Sequence, residues 1–181
     1  MALPPLGLYI HLPWCERKCP YCDFNSHETG DLPEDAYIDT LLRDLEGELP
    51  LARGRTVETL FIGGGTPSLF SAGAIRRLLR EVGNLVDLSA DLEATMEANP
   101  GSAEAEKFLG FREAGINRLS VGVQSFSDPQ LQALGRVHDS RQAGAALGFA
   151  RAAGFESFNI DLMHGLPAQT EARALDDLHT A

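Results

Sequence analysis

The chain has 181 residues, a hydrophobic fraction of 44% and a formal net charge of −11. That length suits one domain with a real core, read here as residues 1–181. No apolar run is long enough to cross a bilayer, and so acidic a balance argues against nucleic acid as a partner, because phosphate backbones need basic patches.

The first strand candidate is Leu8–Leu12. It leads into Cys15-Glu-Arg-Lys-Cys19-Pro-Tyr-Cys22, which holds all three cysteines of the chain. Helix Glu34–Leu49 follows, with Tyr37, Leu41, Leu42, Leu45 and Leu49 on one face and acids on the other. Strand Thr59–Gly63 ends in Gly63-Gly64-Gly65-Thr66-Pro67. Helix Ala72–Val82 is expected between a Ser71 cap and a Gly83 stop. Strand Leu92–Ala98 ends in Glu97-Ala-Asn99-Pro100, and helix Ala103–Ala114 is expected between Ser102 and Gly115. Strand Arg118–Val123 ends in Gln124-Ser125. Helix Arg141–Ala153 follows Asp139 and Ser140 and stops at Gly154. Strand Ser157–Met163 carries Asp161 and runs into His164-Gly165, and a further helix begins after Leu166-Pro167.

Arg112-Glu-Ala-Gly-Ile-Asn and Arg151-Ala-Ala-Gly-Phe-Glu are weak copies of one unit: helix, glycine stop, strand. Repetition of that unit builds a parallel sheet, either open and doubly wound or closing as a barrel; the pattern alone leaves both open. In both, the site lies at the C-terminal ends of the strands. The strand-end residues are small or polar, which fits. An unfinished barrel leaves an unpaired edge at Ser157–Met163.

The cysteine spacing, C-x3-C-x2-C, admits several chemistries. A disulfide would strand one thiol and close a very short loop. Structural zinc needs a fourth ligand, which His11 or His27 could give. An ordinary ferredoxin cluster needs a fourth cysteine, absent here. Three thiolates could hold three corners of a [4Fe–4S] cube and leave one iron open. Arg17 and Lys18, inside the loop, would favour thiolates. Clustered cysteines and no visible export signal point to a reducing cytoplasm.

Around that loop, the glycines at 63–65 can bring backbone close to a ligand; they form neither a P-loop nor a dinucleotide fingerprint. Glu97 and Asp161 could accept from an ammonium or a hydroxyl, Gln124 could read an amide or ribose, and Arg136 could clamp a carboxylate. Each, taken alone, reads equally well as a surface or capping residue.

The chain resembles the radical S-adenosylmethionine (SAM) superfamily, in its coproporphyrinogen dehydrogenase-like group. The matching segments are Tyr9-Ile-His-Leu-Pro-Trp-Cys15 with Cys19 and Cys22, Gly63-Gly-Gly-Thr-Pro67-Ser68, Glu97-Ala-Asn-Pro100, Ser120-Val-Gly-Val-Gln124-Ser-Phe126, Leu134-Gly-Arg136-x-His138 and Asn159-Ile-Asp161-Leu-Met-x-Gly-Leu-Pro167. The resemblance implies an α/β fold: a partial (β/α)6 TIM-like barrel, cut off after about five βα units, with a C-terminal domain absent. It implies a [4Fe–4S] cluster on Cys15, Cys19 and Cys22, whose open iron chelates SAM. Reductive cleavage of SAM, fed by an electron donor, would then give a 5′-deoxyadenosyl radical. By position, Tyr9, Gly64 and Glu97 match contacts to the cluster-bound SAM. Tyr21, Gly65, Thr66, Gln124, Arg136 and Asp161 match contacts to a second SAM in the dehydrogenase branch.

That branch carries a fourth cysteine two positions after the third, where this chain has Phe24. The Cys-x-Phe form resembles the group's heme chaperone branch instead, whose role implies heme or a porphyrin as ligand, membrane-bound respiratory proteins as recipients, and a cytoplasmic place at the membrane periphery. Oxygen-independent coproporphyrinogen III dehydrogenase is the enzymatic alternative. A zinc- or cluster-bearing binding module without radical chemistry is the third. His11, His138 and His164 are conceivable heme ligands, with structural roles weighed against each.

Overall fold

The computed structural model describes residues 3–28, 30–102 and 105–181. Strand β1 (Leu6–Leu12) is followed by a small pair, β2 (Trp14–Cys15) and β3 (His27–Glu28). Then come α1 (Glu34–Ala52), β4 (Val57–Gly64), α2 (Ala72–Leu85), β5 (Leu88–Ala98), α3 (Ala105–Ala114), β6 (Arg118–Gln124), α4 (Asp128–Ala133), α5 (Ser140–Ala152), β7 (Ser157–Leu162) and α6 (Glu171–Thr180). Short 3-10 turns at Pro67–Leu69 and Pro100–Ser102 follow β4 and β5.

The main sheet has five strands, all parallel, in the order β1-β4-β5-β6-β7. Apart from the small β2–β3 excursion, spatial order equals chain order. A doubly wound sheet reverses its order at a switch point; this one does not, so the winding is that of a partial barrel. β7 forms one edge, as expected, and β1 the other.

In their paired central stretches the strands send alternate side chains to opposite faces. Ile10, Leu12, Leu60, Ile62, Ala94, Met96, Ala98, Leu119, Val121 and Val123 are buried under the helices. Tyr9, Phe61, Glu97, Ser120 and Asp161 fall on the other face. In-register pairs keep each face together: Ile62 with Met96 and Met96 with Leu119 on one side, Glu97 with Ser120 on the other. The period of two, not any one residue, sends polar groups to the inner face.

The two copies of the helix–glycine–strand unit end alike. Ile116 N–H reaches back to Phe111 O at 3.1 Å and Gly115 N–H to Arg112 O at 3.2 Å. Phe155 N–H reaches Ala150 O at 3.1 Å and Gly154 N–H Arg151 O at 3.0 Å. These are Schellman ends, with the glycines at φ +115° and +82° and a buried apolar residue just beyond.

Two helices run past their expected ends. α2 continues through Gly83 to Leu85, because Gly83 keeps helical backbone and the chain leaves through an extended Val86. A helical glycine costs only about 1 kcal/mol, which the buried Ile75, Leu78 and Val82 outweigh. α1 passes Pro50 and ends at left-handed Arg53 and Gly54. The expected start of α3 at Ala103 lies outside the described residues.

Candidate functional site

A cavity of about 310 Å³ opens at the C-terminal ends of the strands. Cys15, Cys19, Cys22 and Tyr21 line it from the cysteine loop, and Gly64, Gly65 and Thr66 from the end of β4. Glu97 lines it from β5, Gln124 from β6, Arg136 from the segment after α4, and Asp161 from β7. All three cysteines are free, Cys15 buried and the other two half-buried.

Tyr9 is placed differently. It is 56% exposed, stacks on Phe61 with ring centroids 6.2 Å apart, and does not line this cavity. Its hydroxyl donates to His11 Nδ1 at 2.9 Å, and His11 Nε2–H donates to Asn25 O at 2.8 Å. The tautomer follows from that network. His11 thus ties β1 to the far end of the cysteine loop.

The glycine run is needed where it stands. Gly65 N–H donates to Leu12 O at 2.8 Å and Thr66 N–H to Trp14 O at 2.7 Å. A Cβ on Gly65 would lie 2.5 Å from the Trp14 carbonyl oxygen. Gly64 has φ +122°, and a Cβ there would meet the His11 ring at 2.8 Å. Glycine lets the end of β4 press against the start of the cysteine loop.

Glu97 accepts from Gly64 N–H at 3.0 Å. Burial, with Asp161 adding to it, raises its pKa, while the Gly64 hydrogen bond opposes the shift. Asp161 accepts from Ser120 Oγ at 3.0 and 3.2 Å and from Asn159 Nδ2 at 2.6 Å. Lys18 does not face the thiols as its charge suggested. Its ammonium folds back onto the carbonyls of Phe24 and Ser26, each at 3.1 Å. Arg17 does line the cavity.

Arg136 is not free to clamp a carboxylate with both arms. Nη2 donates to Gly122 O at 2.8 Å and to Asn99 Oδ1; Nη1 donates to Tyr21 OH at 3.4 Å and Cys19 Sγ at 3.6 Å. Its Nε is buried without a hydrogen-bond partner. Burial raises the Tyr21 pKa, and Arg136 counters it.

His138 is 3% exposed and donates through Nε2 to Val123 O at 3.0 Å. Burial, then the nearby Arg136, lowers its pKa to about 4. It is a neutral structural histidine. His164 lies on the surface.

Asn99, Ser120, Gly122 and Met163 also line the cavity, although the motif reading did not single them out as ligand contacts. For Ser120 and Gly122 the signal was the period of two, since both alternate with the apolar positions of β6.

A family model described as the Radical SAM superfamily matches residues 9–181. The chain belongs to the radical SAM superfamily. The family implies a [4Fe–4S] cluster and SAM, and the donor set fits. Three free thiols sit on one loop beside a cavity with exposed backbone, a carboxylate and a guanidinium. Among the described residues no three His, Cys, Asp or Glu side chains gather round one ion position. A cube spreads its thiolates over separate irons.

The chain is 54% identical to the protein named heme chaperone HemW in Haemophilus influenzae, over 99% of this chain and 48% of that one. Identity to the Escherichia coli protein of the same name is also 54%, over 100% of this chain and 48% of that one. The chain therefore spans about half the length of the curated relatives it matches. A solved structure titled as the radical SAM enzyme coproporphyrinogen III oxidase (HemN) from Escherichia coli superposes with a TM-score of 0.87 at 36% identity, covering 97% of this chain and 41% of that one. No helix among the described residues is long and apolar enough to cross a membrane.

Proposed function

We propose that the chain carries the cofactor site of a HemW-like radical SAM protein, which binds heme and hands it to membrane-bound respiratory proteins at the cytoplasmic face. The observation that carries this reading is Phe24. It stands where the dehydrogenase branch has its fourth cysteine, lines the cavity near Cys22, and is 66% exposed. An exposed aromatic ring there offers a planar apolar ligand a surface that a thiol would not. The names of the relatives support the same branch.

Cys15, Cys19 and Cys22 would hold the cluster. A bound cluster would supply SAM with one electron from an external donor. Glu97 would accept from the SAM ammonium, with Gly64 exposing backbone beside it. Tyr9 would support that place through its hydrogen bond to His11, whose ring lies against Gly64. Tyr21, Gly65, Thr66, Gln124, Arg136 and Asp161 would form the rest of the pocket wall.

Coproporphyrinogen III dehydrogenase is the second reading, favoured by the likeness to HemN. One preparation separates the two. The chain is reconstituted anaerobically with iron and sulfide, titrated with heme, and incubated separately with coproporphyrinogen III, SAM and a reductant. Saturable heme uptake without protoporphyrinogen is expected. Robust conversion to protoporphyrinogen overturns the chaperone reading.

A further inference from the structure

Arg136 joins the cysteine loop to the ends of β5 and β6. Its Nη2 is anchored to the sheet rim through Gly122 O at the end of β6 and Asn99 Oδ1 after β5. Its Nη1 reaches the cysteine loop 117 residues earlier, at Cys19 Sγ and Tyr21 OH. Gly135, just before it, has φ +71°, and a Cβ there would lie 2.8 Å from Pro20 of the same loop. The loop and the Gly135-Arg136 corner are therefore in close contact through backbone as well as side chain.

We propose that Arg136 is a positioning residue for the cluster: it latches the cysteine loop to the sheet rim and donates an N–H to the Cys19 thiolate. The planar fork matters, because one guanidinium can face the rim with one arm and the loop with the other; an ammonium cannot. A hydrogen bond to a ligating sulfur withdraws electron density from the cluster and raises its reduction potential. The inference rests on the three cysteines holding a cluster. It does not depend on heme as the cargo.

The test uses the full chain, reconstituted with iron and sulfide, as wild type, Arg136→Met and Arg136→Lys. The midpoint potential is read by EPR-monitored redox titration. The apo forms are compared by the alkylation rate of Cys19, mapped by mass spectrometry. R136M is expected to lower the potential by about 59 mV, which is about a tenfold change in the oxidised-to-reduced ratio of a one-electron couple. At a pH high enough to ionise the thiol in every variant, so that the rate reports access to the loop and not thiolate fraction, it is also expected to alkylate Cys19 several-fold faster. R136K should recover only part of either effect, since it restores the charge and not the fork. Full recovery by lysine, or a wild-type potential and alkylation rate in R136M, overturns the proposal. If R136M does not take up iron or does not fold, R136K gives both readings: a wild-type rate and potential overturn the latch, and faster alkylation with lowered potential supports it. Failure of the wild type itself to take up iron would instead sink the cluster assignment.

Discussion

The sheet separates two cavities of nearly equal size and opposite chemistry. The one at the strand ends is about 310 Å³ and lined by thiols, glycines, carboxylates and a guanidinium. The other, about 340 Å³, lies between β1 and α1, walled mainly by aliphatic side chains such as Leu8, Ile10, Leu41, Leu45, Leu78 and Val82. The slightly larger space is not the reactive one. A groove of leucines and valines can hold apolar matter; its polar lining is Asp44, Glu48 and Tyr9, with no thiol and no cation beside them. Convergent polar groups, not volume, mark the site.

That contrast can be broken from either side. The largest effect belongs to the polar cavity. Cys22→Ser should abolish stable cluster binding, taking iron from about four per chain to near zero, because two thiolates cannot hold the cube. Cys22 is half-buried at the surface of the loop, so the melting temperature of the apo form should barely move. Iron and sulfide assays with a thermal melt check both halves; retained iron would end the assignment of this residue.

The apolar side should show the reverse. Leu78 is 1% exposed and lines the aliphatic cavity. Leu78→Ala should cost about 2–5 kcal/mol of stability, read from denaturant unfolding. Below its melting temperature the variant should still take up a full cluster. Loss of both together would mean that the two regions are not independent.

The smallest effect concerns His138, which lines neither cavity and is buried against the end of β6. Its folded pKa, about 4, lies below its ordinary 6.5. The unfolded chain therefore binds the proton more readily. The associated stability is intact above pH 6.5 and lost as pH falls from 6.5 towards 4, by up to about 1.4 kcal/mol per pH unit. His138→Gln should flatten that slope in apo protein unfolded by denaturant at several pH values. An unchanged slope would remove His138 as its cause.

Much of this was legible in the sequence. Each strand of the main sheet fell where a short apolar or β-branched run met a glycine, proline or polar end. The Asp139 cap was visible as well, and it closes a full capping box with Gln142. The rest depended on facts the chain order hides. Barrel against doubly wound sheet is settled by strand order in space. β2 and β3 hold two residues each, too few for any period to register. α4 is six residues long and starts at Asp128-Pro129, which reads as a turn. The occupation of Arg136 is a matter of long-range contact: its partners span residues 19 to 122, and no local pattern announces them.

The reach from Cys19 to Arg136 has a temporal side. A ribosome adding about 5–20 residues per second needs roughly 6–23 s to make the intervening stretch. The sequence separation is 117 residues. During that time the nascent thiols lack the guanidinium, and the β5 and β6 rim is completed only late in it. Whatever oxidises thiols need not wait for that latch. Holo yield on expression should depend on how reducing the surroundings are during synthesis, more than on iron supply after it.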